Sequence, residues 1–264
     1  MNLFNEKLAA AHGTASLGTF IMSASPLIAE AIGCCGFDWA IVDGEHSPLD
    51  TMDIAHMLQA LGTTPTVPIV RMAWNDAVLV KRALDAGAST LLFPFIQNAA
   101  EARLAVEATR YPPEGIRGMA GLSRASRFGA VPDHFRTANS RIGVIVQLET
   151  LAALDALEEI AAVPGVDALF VGPTDLSGSM GHVGNPGHAD VQAAVLDFAK
   201  RCKAAGKPSG TLASTPELTE QYRAAGFDFI AFASDLGMLT GQARSVLARL
   251  RKPSSPMAAG GATY

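Results

Sequence analysis

Short apolar runs recur along the chain, and each is followed by a stretch whose apolar residues repeat at helical spacing. Leu17 to Ile21 precedes a helix from Pro26 to Cys35, Trp39 to Val42 one from Leu49 to Leu61, and Val67 to Val70 one from Asp76 to Ala86. Thr90 to Phe93 is followed by Ala99 to Arg110, Val144 to Leu148 by Leu151 to Ala161, and Leu169 to Val171 by Asp190 to Ala205. Ser209 to Leu212 with Pro216 to Ala225, and Phe229 to Phe232 with Leu236 to Arg251, complete the set. Eight strand-helix pairs in 264 residues predict an α/β fold, a (β/α)8 TIM barrel over residues 1–252, close to the usual barrel length of about 250 residues. A doubly wound open sheet is the alternative. Ala86-Gly87-Ala88-Ser89, Pro164-Gly165-Val166-Asp167 and Ala225-Gly226-Phe227-Asp228 have the form of helix stops.

Two segments break the rhythm. Tyr111 to Arg141 carries Arg117, Arg124, Arg127, Arg136 and Arg141, and a connection of that length is expected to serve as a lid or an interface. Residues 253–264 are mainly Pro, Ser, Gly and Ala and are expected to be a disordered tail.

Composition narrows the class. With 49% hydrophobic and 17% charged residues the chain can bury a large core, and a net charge of -5 argues against a nucleic-acid or anionic-membrane partner. Cys34, Cys35 and Cys202 are too few and too poorly spaced for a disulfide framework or a Cys-rich zinc site; the adjacent pair reads as core packing. No stretch approaches the roughly 20 apolar residues of a membrane span, and the amino terminus lacks signal-peptide order. A soluble, cytoplasmic protein is expected.

Candidate chemistry collects at strand ends. Gly143 to Leu148 runs into Glu149, and Ala168 to Val171 runs through Gly172-Pro173-Thr174 into Asp175. If those strands are parallel neighbours, both carboxylates face the carboxyl-end opening where α/β folds place their sites. Two hard oxygen ligands suit Mg²⁺, Mn²⁺ or another divalent ion; the alternative is that each acid merely caps the helix after it. Asp43-Gly44-Glu45-His46 ends the second strand and Arg71 the third. A strand-end arginine needs a partner or ligand, whereas a loop histidine is often only solvated. Asp85, late in its helix, reads as surface charge or a cap for the Ala-Gly-Ala turn, and the alternative is that it, or Asp43, fixes the tautomer of His46. No P-loop or dinucleotide fingerprint is present, and Lys81 reads as surface charge.

These residues together resemble the pyruvate-specific class II aldolases of the HpcH/HpaI group from about Gly18 to Arg251. The likeness rests on Gly36-Phe37-Asp38-Trp39, Asp43-Gly44-Glu45-His46, Arg71, Thr109 to Gly118, Gln147-Leu148-Glu149 and Gly172 to Ser177. It implies a carbon–carbon lyase that cleaves a 2-keto-4-hydroxy acid, such as 4-hydroxy-2-oxoheptanedioate or 2-dehydro-3-deoxyglucarate, to pyruvate and an aldehyde. It further implies Mg²⁺, Mn²⁺ or Co²⁺ on Glu149 and Asp175, with His46, Arg71, Asp43 and Asp85 in the catalytic set. Arg71, Gln147, Gly172, Thr174, Asp175 and Leu212 would bind substrate, Thr174 and Asp175 through backbone N–H groups at a helix start. A hexamer, a trimer of dimers exchanging the helix from Leu236 to Arg251, is implied as well; the length and charge of the 111–141 excursion, not the resemblance, add the expectation that Arg124 or Arg127 reaches the distal carboxylate of a neighbour's substrate. Ala231-Phe232-Ala233-Ser234-Asp235 and Phe20 depart from the group's usual residues and bear on pocket width. A citrate- or malyl-CoA-lyase-like enzyme acting on a CoA thioester is the alternative activity; a non-enzymatic barrel is the other.

Overall fold

The computed structural model describes residues 2–11 and 13–251; the expected disordered tail at 253–264 lies outside them. Eight parallel strands close on themselves in chain order: β1 (Ser16–Ile21), β2 (Trp39–Asp43), β3 (Val67–Arg71), β4 (Thr90–Phe93), β5 (Gly143–Leu148), β6 (Ala168–Val171), β7 (Ser209–Ala213) and β8 (Phe229–Ser234). The helices are α1 (Leu3–Ala10), α2 (Pro26–Gly33), α3 (Thr51–Leu61), α4 (Ala77–Asp85), α5 (Ala99–Thr109), α6 (His134–Thr137), α7 (Leu151–Asp155), α8 (Leu157–Ala161), α9 (Pro173–Ser179), α10 (Ala189–Ala204), α11 (Pro216–Ala225) and α12 (Asp235–Leu250). The predicted (β/α)8 barrel is the observed fold.

Period-two alternation builds two cores from one sheet. Ala40 and Val42 face outward into the layer shared with the helices. Trp39 and Ile41 point inward and meet Ile69, Leu92, Ile145, Phe170 and Phe229 along the barrel axis. Removing each such side chain from water contributes roughly 1.5–3 kcal/mol, so the axis is a packed rod and not a pore.

The amino-terminal end of the barrel is closed by α1, which sequence patterning did not reveal. Phe4 is fully buried and meets Phe229 edge-on at 5.1 Å, while Asn5 Nδ2 donates to Asp167 Oδ1 at 2.7 Å. Three of the turns into the strands share a Gly-apolar-Asp pattern: Gly36-Phe37-Asp38, Gly165-Val166-Asp167 and Gly226-Phe227-Asp228. Each glycine has φ above 90°, the left-handed region that glycine enters without steric cost. Each aspartate then accepts the N–H of Leu17, Val144 or Ser209 at 2.8–2.9 Å, latching its turn to the neighbouring strand.

Two expectations are corrected. The helix expected from Leu151 to Ala161 is broken at Ala156 into α7 and α8. Cys34 and Cys35 are exposed rather than core, because α2 ends at Gly33 and they lie in the solvent-facing turn beyond it.

Candidate active site

The carboxyl-end mouth of the barrel holds a cavity of about 660 Å³. Into it project His46 from the loop after β2, Arg71 from the end of β3, Gln147 from β5, Gly172, Thr174 and Asp175 from the corner of β6 and α9, and Leu212 from β7. Strand register explains much of this convergence. Asp43 and Arg71 are paired residues of β2 and β3, so their side chains emerge together at the rim.

Arg71, 8% exposed, is held on two sides. Its Nε donates to Asp43 Oδ1 at 2.8 Å and its Nη1 lies 3.0 Å from Glu45 Oε2. The guanidinium sits over the Phe20 ring, 4.9 Å from its centroid. The loop can pass this close because residue 44 is glycine: a Cβ there would stand 2.7 Å from the Arg71 carbonyl oxygen, which instead accepts the Gly44 N–H. Burial alone would raise the Asp43 carboxyl, but Arg71 and the N–H groups of Glu45 and His46 outweigh it and hold Asp43 below its ordinary range. Glu45 goes the other way. Burial lifts it, Arg71 opposes, and the negative charges of Asp43 and Asp175 reinforce the rise.

Glu149 is 1% exposed. Its Oε1 accepts the Phe95 N–H at 2.8 Å and its Oε2 the Gln147 amide at 2.6 Å. Phe95 delivers that N–H from a left-handed backbone, φ 55°, an unfavourable conformation of the kind retained at functional sites. Burial pushes Glu149 up to about 7, with the charges of Glu45 and Asp175 adding to the rise and the two hydrogen bonds resisting it. Glu149 does not cap the helix after it; Thr150 does, accepting the Ala153 N–H. At Gly172 an added Cβ would stand 2.6 Å from Glu149 Oε2, so glycine is what leaves the carboxylate its place.

This arrangement fits a divalent cation on chemical grounds. Three carboxylates, Glu45, Glu149 and Asp175, influence one another electrostatically beside a single guanidinium. The buried Gln147 Oε1 also has no hydrogen-bond partner among the described residues. Hard oxygen donors with unsatisfied lone pairs are the ligand set of Mg²⁺ and Mn²⁺.

Not every expected residue joins the mouth. Asp85 does not meet His46: it ends α4 and binds Arg117 Nη2 at 2.9 Å. The carboxylate near the His46 ring is Glu45, at 3.6 Å, while Asp43 accepts the His46 backbone N–H at 3.4 Å and so holds the loop rather than the imidazole. Glu45 belongs to the Asp43-Gly44-Glu45-His46 stretch, and its place next to Arg71 follows from the register of β2 and β3, which local spacing does not encode. Arg124 Nη1 binds the Ala86 carbonyl at 3.0 Å, and Arg127 lines a separate cavity. Outside the mouth, His182, His188 and Asp190 cluster after α9. The two rings are stacked 3.5 Å apart at 14°. Their in-plane lone pairs therefore run parallel instead of converging, and His188 Nδ1 already accepts the Asp190 N–H that starts α10.

A sequence profile of the HpcH/HpaI aldolase/citrate lyase family matches residues 16–241, most of the chain. The chain belongs to that family. It is 51% identical over 245 residues to a 2-dehydro-3,6-dideoxy-6-sulfogluconate aldolase from Pseudomonas putida, covering 93% of this chain and 96% of that one. Over 249 residues it is 45% identical to a 4-hydroxy-2-oxo-heptane-1,7-dioate aldolase from Klebsiella pneumoniae subsp. pneumoniae, covering 94% and 93%. A crystal structure of an HpcH/HpaI aldolase/citrate lyase family protein from Burkholderia cenocepacia J2315 superposes with TM-score 0.91 at 40% identity, covering 96% of this chain and all of that one. This member of the HpcH/HpaI family is a carbon–carbon lyase of the aldolase type. Among the described residues no helix is long and apolar enough to cross a membrane.

Proposed function

We propose that this HpcH/HpaI enzyme is a divalent-metal-dependent class II aldolase that cleaves a 2-keto-4-hydroxy acid reversibly to pyruvate and an aldehyde. The observation that carries the reading is Glu149: a carboxylate buried at the barrel mouth, facing other acids, with its orienting donors in place. Glu149 and Asp175 would hold Mg²⁺, Mn²⁺ or Co²⁺, which when bound supplies Lewis-acid polarisation of the keto oxygen. Arg71, fixed by Asp43 and Glu45, presents its positive charge where the enolate oxygen develops, a preorganised stabiliser that need not move. His46 lines the same cavity and takes the proton from the 4-hydroxyl as the C3–C4 bond breaks, then returns it to C3 of the enolate so that pyruvate and the aldehyde leave. Thr174 and Asp175 offer first-turn N–H groups of α9 to the substrate carboxylate, Pro173 having none. Gly172 and Leu212 shape the walls, and Gln147 orients Glu149 and the substrate. The names of the relatives point to substrates with a second anionic group, a carboxylate or a sulfonate at the far end.

The test is pyruvate release, coupled to lactate dehydrogenase, on 4-hydroxy-2-oxoheptanedioate, 2-dehydro-3-deoxyglucarate and 2-dehydro-3,6-dideoxy-6-sulfogluconate. Release that stops with EDTA and returns with Mg²⁺, Mn²⁺ or Co²⁺ is expected. No release with any of the three would overturn the proposal and move the search to CoA thioesters.

We also propose that copies associate into a hexamer by exchanging α12. Of its sixteen residues only Asp235 is buried, and Leu239 and Leu250 stand 60% and 78% exposed. An apolar face of that extent favours a partner. Light scattering on Leu239→Asp/Leu247→Asp protein should give a smaller particle than the parent; an unchanged mass would exclude α12 from the contact.

A further inference from the structure

The excursion between α5 and β5 encloses a second cavity, of about 610 Å³, at the opposite end of the barrel from the mouth. Its walls include Gly87 to Ser89, which lead into β4, and Arg141 and Ile142, which lead into β5. Three guanidinium groups line it, those of Arg117, Arg127 and Arg141, together with the His134 ring; no lining residue is acidic. Asp85, beside the wall, takes Nη2 of Arg117 at 2.9 Å. The lining itself is therefore cationic, with Arg127 and Arg141 at its solvent-exposed side.

Arg117 is the residue that singles this cavity out. It is 3% exposed, Nη2 is engaged by Asp85, and its face lies 4.4 Å from the Tyr111 ring centroid. Its Nε–H has no acceptor among the described residues. That N–H is itself shielded from solvent, so Arg117 is a tightly packed part of the wall and contributes chiefly its fixed positive charge to the cavity. That charge is felt at His134, whose ring is held below its ordinary pKa by burial and by Arg117 and Arg141, with only Asp85 opposing. Leu84, Val131 and Pro132 add apolar wall for a carbon skeleton.

We propose that this cavity binds a compact organic dianion, a phosphate monoester or a short dicarboxylate, at a site separate from the barrel mouth. A dianion complements a lining that holds three arginines and no acid, guanidinium forks match the oxygens of either group, and the volume lies within the range of small-molecule sites.

The experiment is isothermal titration of the full chain with glucose 6-phosphate and with succinate, using glucose as the uncharged control. Saturable binding of at least one dianion and none of glucose is expected. Binding should weaken at least tenfold in Arg127→Ala/Arg141→Ala and in the milder Arg141→Gln. It should persist in Arg71→Ala, which removes the guanidinium of the mouth, and in Arg103→Ala, which removes an exposed charge on α5 that does not line the cavity. Glucose 6-phosphate alone would assign a phosphate ester, succinate alone a dicarboxylate. Absence of binding by both, or binding lost in Arg71→Ala but kept in the double variant, would overturn the proposal.

Discussion

Glu149 occupies a place that disfavours its own charge. Its pKa near 7, against an ordinary value of 4.5, makes the folded chain hold a proton over a range where the unfolded chain has released it. The unfolded state therefore binds fewer protons between about pH 4.5 and 7, and stability falls as pH rises through that window. In EDTA, thermal unfolding from pH 5 to 7.5 should show a loss on the order of 1–3 kcal/mol. Glu149→Gln should flatten that slope, and added Mn²⁺ should restore stability at pH 7.5 to the parent but not to the variant. Gly172→Ala tests the same geometry from the other side. The new Cβ must displace Glu149 Oε2, so metal affinity by calorimetry should drop at least about tenfold, with a stability loss of about 1–3 kcal/mol. Arg71→Lys keeps the charge but loses the fork to Asp43 and Glu45; kcat should fall about 10²-fold while the metal Kd changes little. A metal Kd that moved with kcat would make Arg71 a scaffold for the cation site instead. The position of Glu149 and Arg71 at the mouth was legible in the sequence because a charge ending an apolar strand stands out, and that of Asp175 because it follows a strand-to-helix corner. Glu45 and Asp85 were not. Their partners are set by register and by the path of the excursion, neither of which local spacing encodes.

Among the elements, the eight strands were readable because each is a compact apolar run, and most helix starts because a cap announces them. Asp50, Asp76 and Thr215 each accept a first-turn N–H. The first helix escaped for the opposite reason. It is short and has a mixed surface, and Phe4 is its one fully buried side chain, with Asn5 and Lys7 adding polar ties to Asp167 and Asp38. That concentration makes it testable: Phe4→Ala should cost about 3–5 kcal/mol in urea unfolding, whereas Leu3→Ala, a neighbour 53% exposed, should cost little. Equal effects would show that Phe4 is not the anchor. Cys34 and Cys35 misled because apolar character near a helix end says nothing about which side of the last turn faces out.

On the scale of the whole molecule, the barrel concentrates its chemistry at one end and its closure at the other. Three aspartate latches and the Phe4 plug secure the amino-terminal rim. Charges and glycine-permitted close approaches gather at the carboxyl-terminal mouth. Closure also reaches across nearly the full chain: Thr19 Oγ1 donates to the Phe232 carbonyl, 213 residues later. During synthesis from the amino terminus, the residues around Phe4 therefore leave the ribosome long before Phe229 exists to receive them. At roughly 5–20 residues per second the wait is about 10–45 seconds. Through that interval one edge of β1 is unpaired and Phe4 an uncovered aromatic side chain, so the incomplete chain is at its most aggregation-prone until its last strand emerges.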